Sequence, residues 1–205
     1  SAYRDDPCTR FKPHILDQNI YDVVDPGLVA KMHKAITVIQ FKVEGQIIKR
    51  HPEYGLNHRC LLEHVDFDKG TVEVDGKTYP MLDMKFPTID PKDPLKFTKE
   101  EQELIYNLAL SFHHSETLHR HIRFVYSHGA MYKRCNGNLL YHGCIPMKED
   151  GTFEELKLKG IIYSGKRLLD YIEDAVKMAY FLPEDDPTKD WYRDFMWYLW
   201  CGPKS

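Results

Sequence analysis

Asn136-Gly137-Asn138-Leu139-Leu140-Tyr141-His142-Gly143-Cys144-Ile145-Pro146-Met147 is the stretch on which the fold turns. It predicts a turn, a short buried strand and a histidine at the strand's end. Gly137 opens the turn, and Leu139 to Tyr141 supply the apolar run. Gly143 follows His142 at once, and a residue without Cβ lets the backbone pass close to whatever the imidazole faces. The carboxyl edge of a strand is where α/β enzymes hold ligands and metals. By residue type alone, a strand-end histidine is more often a core residue than a ligand.

Outward from this stretch the period changes. On the carboxyl side, Leu156 to Tyr163 predicts a hairpin around Lys159-Gly160. Ser164 then stands as the N-cap of a helix whose buried face is Leu168, Leu169, Ile172, Ala175, Val176 and Ala179. Pro183 to Pro187 breaks that helix. Trp191 to Trp200 is dense in aromatics, and Gly202-Pro203 ends it.

On the amino side, Thr98 and Glu101 form a capping box that opens a long helix. Its predicted seam is Leu104, Leu108, Phe112, Ser115, Leu118, Ile122 and Val125. Thr71 to Val74, the Asp75-Gly76 turn and Lys77 to Tyr79 read as a β-hairpin. Asp25-Pro26 starts an earlier long helix, and His51-Pro52 stops it. Leu28, Val29, Met32, Ile36, Ile39, Val43 and Ile47 form its apolar stripe. The two stripes predict a helical pair with the hairpin at one end. Solvent exposure of both Ile36 and Leu108 contradicts that pairing.

The second long helix carries His113, His114, His119 and His121, with His128 just after. Neither H-x-x-x-H nor a carboxylate partner completes a zinc site there, so a polar face bearing histidines is the stronger reading. Cys8, Cys60, Cys135, Cys144 and Cys201 are odd in number and lack C-x-x-C spacing. That points to reduced thiols in a cytoplasmic protein. Cys135 and Cys144 flank the His142 strand, where small buried hydrophobes are the favoured reading over a Cys/His metal cluster. With 205 residues, the chain can form one good core or two small ones. A formal net charge of -3 gives no reason to expect nucleic acid, and no apolar run reaches the length of a membrane span.

The run SHGAMYKRCNGNLLYHGCIPMKEDGTF (127–153) resembles the class III fructose-1,6-bisphosphatases of bacteria. So do DDPCTRFKP (5–13), HKAITVIQFKVEGQIIKR (33–50), FPTIDPKDP (86–94) and the final MWYLWCGPKS (196–205). That family is similar to the calcineurin-like metallophosphoesterases, in which a two-metal centre hydrolyses phosphate esters. The family's motifs D-x-H, G-D-x-x-D-R-G and G-N-H-D are missing here, as is its later glycine-histidine motif. The resemblance thus implies an internal piece of a longer enzyme, inactive by itself.

The fold implied is α+β: long amphipathic helices with a small β-hairpin, plus part of a calcineurin-like metallophosphoesterase α/β sandwich. Residues 1–126 read as a helical insertion with the hairpin, and residues 127–205 as part of the metallophosphoesterase domain. The cofactor implied is divalent metal, Mn²⁺, and His142 is the one residue matching a family metal ligand. The reaction implied is hydrolysis of the 1-phosphate of fructose 1,6-bisphosphate, a step of gluconeogenesis. The substrate's other phosphate needs cations, and Arg123, Lys133 and Arg134, near His142 in sequence, are the candidates. Strand edges and apolar area left open in such a piece predict a homo-oligomer. The rival reading is a non-catalytic helical module for subunit contact or regulation.

Overall fold

The computed structural model describes residues 2–13, 25–141 and 143–204. The chain forms two compact units, one ending at Leu110 and the other starting at Ser111. The architecture is mixed α and β, with three separate antiparallel sheets of three, two and two strands among the described residues.

In the first unit, α1 spans Pro26–Arg50. The Asp25 carboxylate accepts from the Gly27 N–H at 2.8 Å, and Pro26 loses no bond at the first helical position. Lys49 and Arg50 complement the dipole of the last turn before His51-Pro52 ends the helix. Short 3₁₀ turns lead to β1 (Val65–Asp66), β2 (Thr71–Val74) and β3 (Lys77–Pro80). Asp75 (φ 51) and Gly76 (φ 72) both take positive φ, the geometry of a two-residue hairpin turn whose twist matches its strands.

The buried face of α1 keeps Ile39 and Ile47 of the predicted stripe and departs from it elsewhere. Leu28, Met32 and Ile36 are exposed, whereas Ala30, Lys34, Val38, Ile39, Lys42, Gly45, Ile47 and Ile48 are buried. Two lysines therefore sit inside. Lys34 Nζ donates to Asp6 at 2.6 Å and to Asp83 at 2.8 Å, and rings of Tyr3, Phe11 and Phe86 surround it. Lys42 Nζ donates to the Thr88 carbonyl at 2.6 Å and to Glu101 at 2.7 Å. Such charges are tolerated in a core only when paired and hydrogen-bonded in this way. Burial lowers the affinity of Lys34 for its proton, but the bonds to the two carboxylates outweigh it and raise its pKa. Gly45 faces Leu95 and Cys60. An added Cβ would lie 2.5 Å from Leu95 Cδ2, so this glycine supplies close approach.

The second predicted helix is two helices. α2 (Lys99–His113) opens with the capping box, in which Thr98 N–H donates to Glu101 Oε2 at 2.9 Å and Glu101 N–H to Thr98 Oγ1 at 3.2 Å. α3 (Glu116–His128) starts afresh, because Ser115 turns extended and its Oγ accepts from the Leu118 N–H at 3.4 Å. Ser115 is thus a cap, not a seam residue. Leu104, Leu108 and Phe112 on α2 are exposed, as is Ile36 on α1, which rules out the predicted helical pair.

The second unit adds two hairpins and a helical pair. β4 (Tyr132–Cys135) pairs with β5 (Asn138–Tyr141), and β6 (Glu155–Leu158) with β7 (Ile161–Ser164). In β6, buried Leu156 and Leu158 alternate with exposed Glu155 and Lys157, the period of a half-buried strand. α4 (Gly165–Phe181) buries Leu168, Leu169, Ile172, Ala175 and Ala179, while Val176 is half-buried. α5 (Lys189–Cys201) packs on it through Phe195 and Tyr198. Phe195 is fully enclosed, stacked on Trp191 and Tyr198 and edge-on to Tyr171. Each such buried side chain contributes about 1.5–3 kcal/mol. Lys159, at the tip of the β6–β7 turn, lies 4.0 Å from the Trp191 ring centroid.

Candidate functional site

The β4–β5 hairpin carries the stretch that decided the reading. Asn136 (φ 51) and Gly137 (φ 77) make its two-residue turn and fix the register Lys133↔Leu140 and Arg134↔Leu139. The base of the hairpin is tied to α4. Tyr132 Oη donates to Asp170 at 2.9 Å, the Met131 N–H donates to Glu173 at 3.1 Å, and Lys166 bonds the same Asp170 at 2.6 Å. The Asp170 carboxyl is held below its ordinary range by Lys166 first and Tyr132 second.

The strand predicted as buried is open: Leu139, Leu140 and Tyr141 are about half exposed. Its pattern looked like a core strand because the run is apolar, but no sheet or helix of the described residues covers it. Cys135 and Cys144, expected as small buried hydrophobes, are exposed as well, and no described cysteine is in a disulfide. His142 lies outside the described residues, and its neighbours Tyr141 and Gly143 are exposed. No group of three or more His, Cys, Asp or Glu able to hold a metal ion occurs among the described residues.

The three candidate cations are not brought to one place. Lys133 and Arg134 are exposed neighbours on β4, so their side chains leave opposite faces of the hairpin. Arg123, on α3, instead lines a cavity of about 480 Å³ to which neither contributes. Histidines missed as a unit help to build its wall. His119 Nε2 donates to the His113 carbonyl at 2.7 Å, so in the neutral ring Nδ1 accepts from Tyr180 Oη at 2.7 Å. The break between α2 and α3 makes this possible, because it lets the His113 carbonyl turn toward His119.

Glu184, Lys189 and Arg193 line the same cavity. Glu184 accepts from Arg193 at 2.7 and 2.9 Å and from Lys189 at 2.7 Å. These bonds, Lys189 first and Arg193 second, push the Glu184 carboxyl down to about 2. Lys189 also donates to the Leu182 carbonyl at 2.6 Å, closing the loop between α4 and α5. The mixed-charge run after Pro183 was the only local signal. It became a cavity wall only through the packing of α5 on α4.

A family model described as Firmicute fructose-1,6-bisphosphatase matches residues 1–205. A Clostridium tetani protein named fructose-1,6-bisphosphatase class 3 is 52% identical over 203 residues, 99% of this chain and 30% of its own length. A Clostridium novyi protein of the same name is 49% identical over 204 residues, 100% of this chain and 30% of its own length. One from Bacteroides fragilis is 48% identical over 205 residues, 100% of this chain and 31% of its own length. No solved structure matches. The chain thus spans about 30% of the length of the curated relatives it matches. With a match that runs from end to end, the chain belongs to the Firmicute fructose-1,6-bisphosphatase family, as a portion of such a protein.

Proposed function

We propose that the parent protein hydrolyses the 1-phosphate of fructose 1,6-bisphosphate to fructose 6-phosphate and phosphate, and that this chain is inactive without the rest. The observation that carries this reading is identity near 50% along the whole chain to proteins named for that activity. Uncatalysed hydrolysis of phosphate monoesters is among the slowest of reactions, which is why such enzymes recruit metal. The metal we assign is Mn²⁺, with His142 as one ligand and the remaining ligands outside the described residues. Arg123, Lys133 and Arg134 are the cations assigned to substrate phosphate.

The open β4–β5 hairpin supports a place at the edge of a larger metallophosphoesterase sheet, since an isolated two-stranded hairpin is marginal in water. On this reading residues 127–205 belong to that domain and residues 1–126 to an insertion. Apolar side chains left open on both units fit contact with the rest of the parent and assembly as a homo-oligomer in the cytoplasm. No described helix is long and apolar enough to cross a membrane.

The test is phosphate release from fructose 1,6-bisphosphate with Mn²⁺, comparing the full-length enzyme, its His142→Ala variant and this chain. Release by the full-length enzyme alone is expected. Equal release by the His142→Ala variant removes that residue from the metal site, and release by this chain overturns its proposed inactivity.

A further inference from the structure

We infer that the cavity lined by Arg123, Lys189 and Arg193 is an anion site that takes a phosphate monoester, with Arg123 as its principal contact. Three basic side chains line this space with one carboxylate, Glu184, and Arg193 also pairs with Asp190 at 3.4 Å. Glu184 is already engaged by Lys189 and Arg193, so its charge is largely compensated within the wall. Arg123 is exposed, its side chain makes no hydrogen bond or ion pair among the described residues, and it lines the cavity. A planar fork of N–H donors without a carboxylate partner matches the oxygens of a phosphate group.

The rest of the wall fits the same ligand class. At about 480 Å³ the space lies within the usual span of small-molecule sites, ~300–1,000 Å³. Ala179 and Phe181 offer apolar surface to the organic part of the ligand. His119 has both ring nitrogens occupied, so it holds the wall in shape and leaves Arg123 as the donor free to bind. The phosphate can belong to the sugar bisphosphate or to a separate phosphate-bearing ligand. Only the first of these arms rests on the phosphatase reading above.

The experiment uses the full-length enzyme and two readouts. The first is calorimetric titration with inorganic phosphate, which needs no turnover. The second is steady-state kinetics on fructose 1,6-bisphosphate. Loss of a charged hydrogen-bonding partner weakens binding by about tenfold or more. Arg123→Gln is therefore expected to weaken phosphate binding by that factor, and Arg123→Lys to weaken it less. A matching rise in KM with kcat held assigns the cavity to the substrate's uncleaved phosphate. An unchanged KM assigns it to a separate phosphate-bearing ligand. Phosphate affinity unchanged in Arg123→Gln, whatever KM does, overturns the inference. If the Gln variant does not fold, the Lys variant carries the same comparison. A wild-type enzyme that binds phosphate but releases none from the bisphosphate would sink the phosphatase reading and leave the anion site standing.

Discussion

Helix α4 buries nearly all of its predicted apolar stripe, whereas α1 buries Ile39 and Ile47 of its own and leaves the N-terminal part of that stripe outside. In α4 the apolar stripe through Leu168, Ile172, Ala175 and Ala179 is the buried one. In α1 the buried line runs Ala30, Lys34, Val38 and Lys42, while Leu28, Met32 and Ile36 point outward. An amphipathic stripe predicts burial when the covering surface is apolar, as α5 is for α4. It fails when distant carboxylates reach in and make the interior the better place for a lysine.

The sharpest way to break this contrast is to remove one charge. Lys42→Ala leaves the nearly enclosed Glu101 carboxylate without its cation and should cost about 3–5 kcal/mol. Urea titration of the chain measures it. The double replacement Lys42→Met with Glu101→Gln should recover most of the loss, because Gln keeps the capping box and no charge stays buried. If Lys42→Ala is neutral, the pair is not part of the core's stability.

Leu168→Ala comes next. Leu168 is 1% exposed, and truncating it should cost about 3 kcal/mol in the same titration. A negligible effect would mean that α4 is not held by its apolar face.

Acid tests the Lys34 pairing of α1, with the Asp6→Asn variant as the control for carboxylates elsewhere. The Asp6 carboxyl is held below its ordinary value by its bond to Lys34, against the opposing effect of burial. A carboxylate with a depressed folded-state pKa contributes stability that is present above its unfolded pKa, near ~4, and is lost as pH falls through the folded value. Melting temperature followed from neutral pH downward should therefore fall below about pH 4, more steeply in the wild type than in Asp6→Asn. Parallel curves would remove Asp6 from the account.

The smallest effect is expected at Met32→Gln, on the outward stripe of α1. It should change the chain's stability by no more than about 0.5 kcal/mol. A larger loss in the full-length enzyme, read from its melting temperature, would show that the rest of the parent covers this stripe. A loss in the chain as large as that of Leu168→Ala would abolish the contrast.

Much of the site was illegible for the same reason as the α1 core. Arg123 is near His142 in sequence, yet it shares its cavity with Lys189 and Arg193 and not with Lys133 or Arg134. The apolar run Leu139 to Tyr141 was taken for a buried strand, since pattern alone cannot say whether a covering layer exists. Ser115 falls in a helical seam by spacing alone, yet its hydroxyl's bond to the Leu118 N–H competes with helix continuation and starts a new helix.

By itself the sequence determined where many of the elements begin and end, though not the break between α2 and α3. Asp25-Pro26, His51-Pro52, the Thr98/Glu101 capping box and the turns at Asp75-Gly76, Asn136-Gly137 and Lys159-Gly160 act through bonds and backbone angles within a few residues. It also carried the family, since that likeness is a property of residues in order. Only the tertiary structure decided which face of α1 is inside. The partners of Lys34 lie 28 and 49 residues away and that of Lys42 lies 59 away, and no local pattern reports a charge that arrives from so far along the chain.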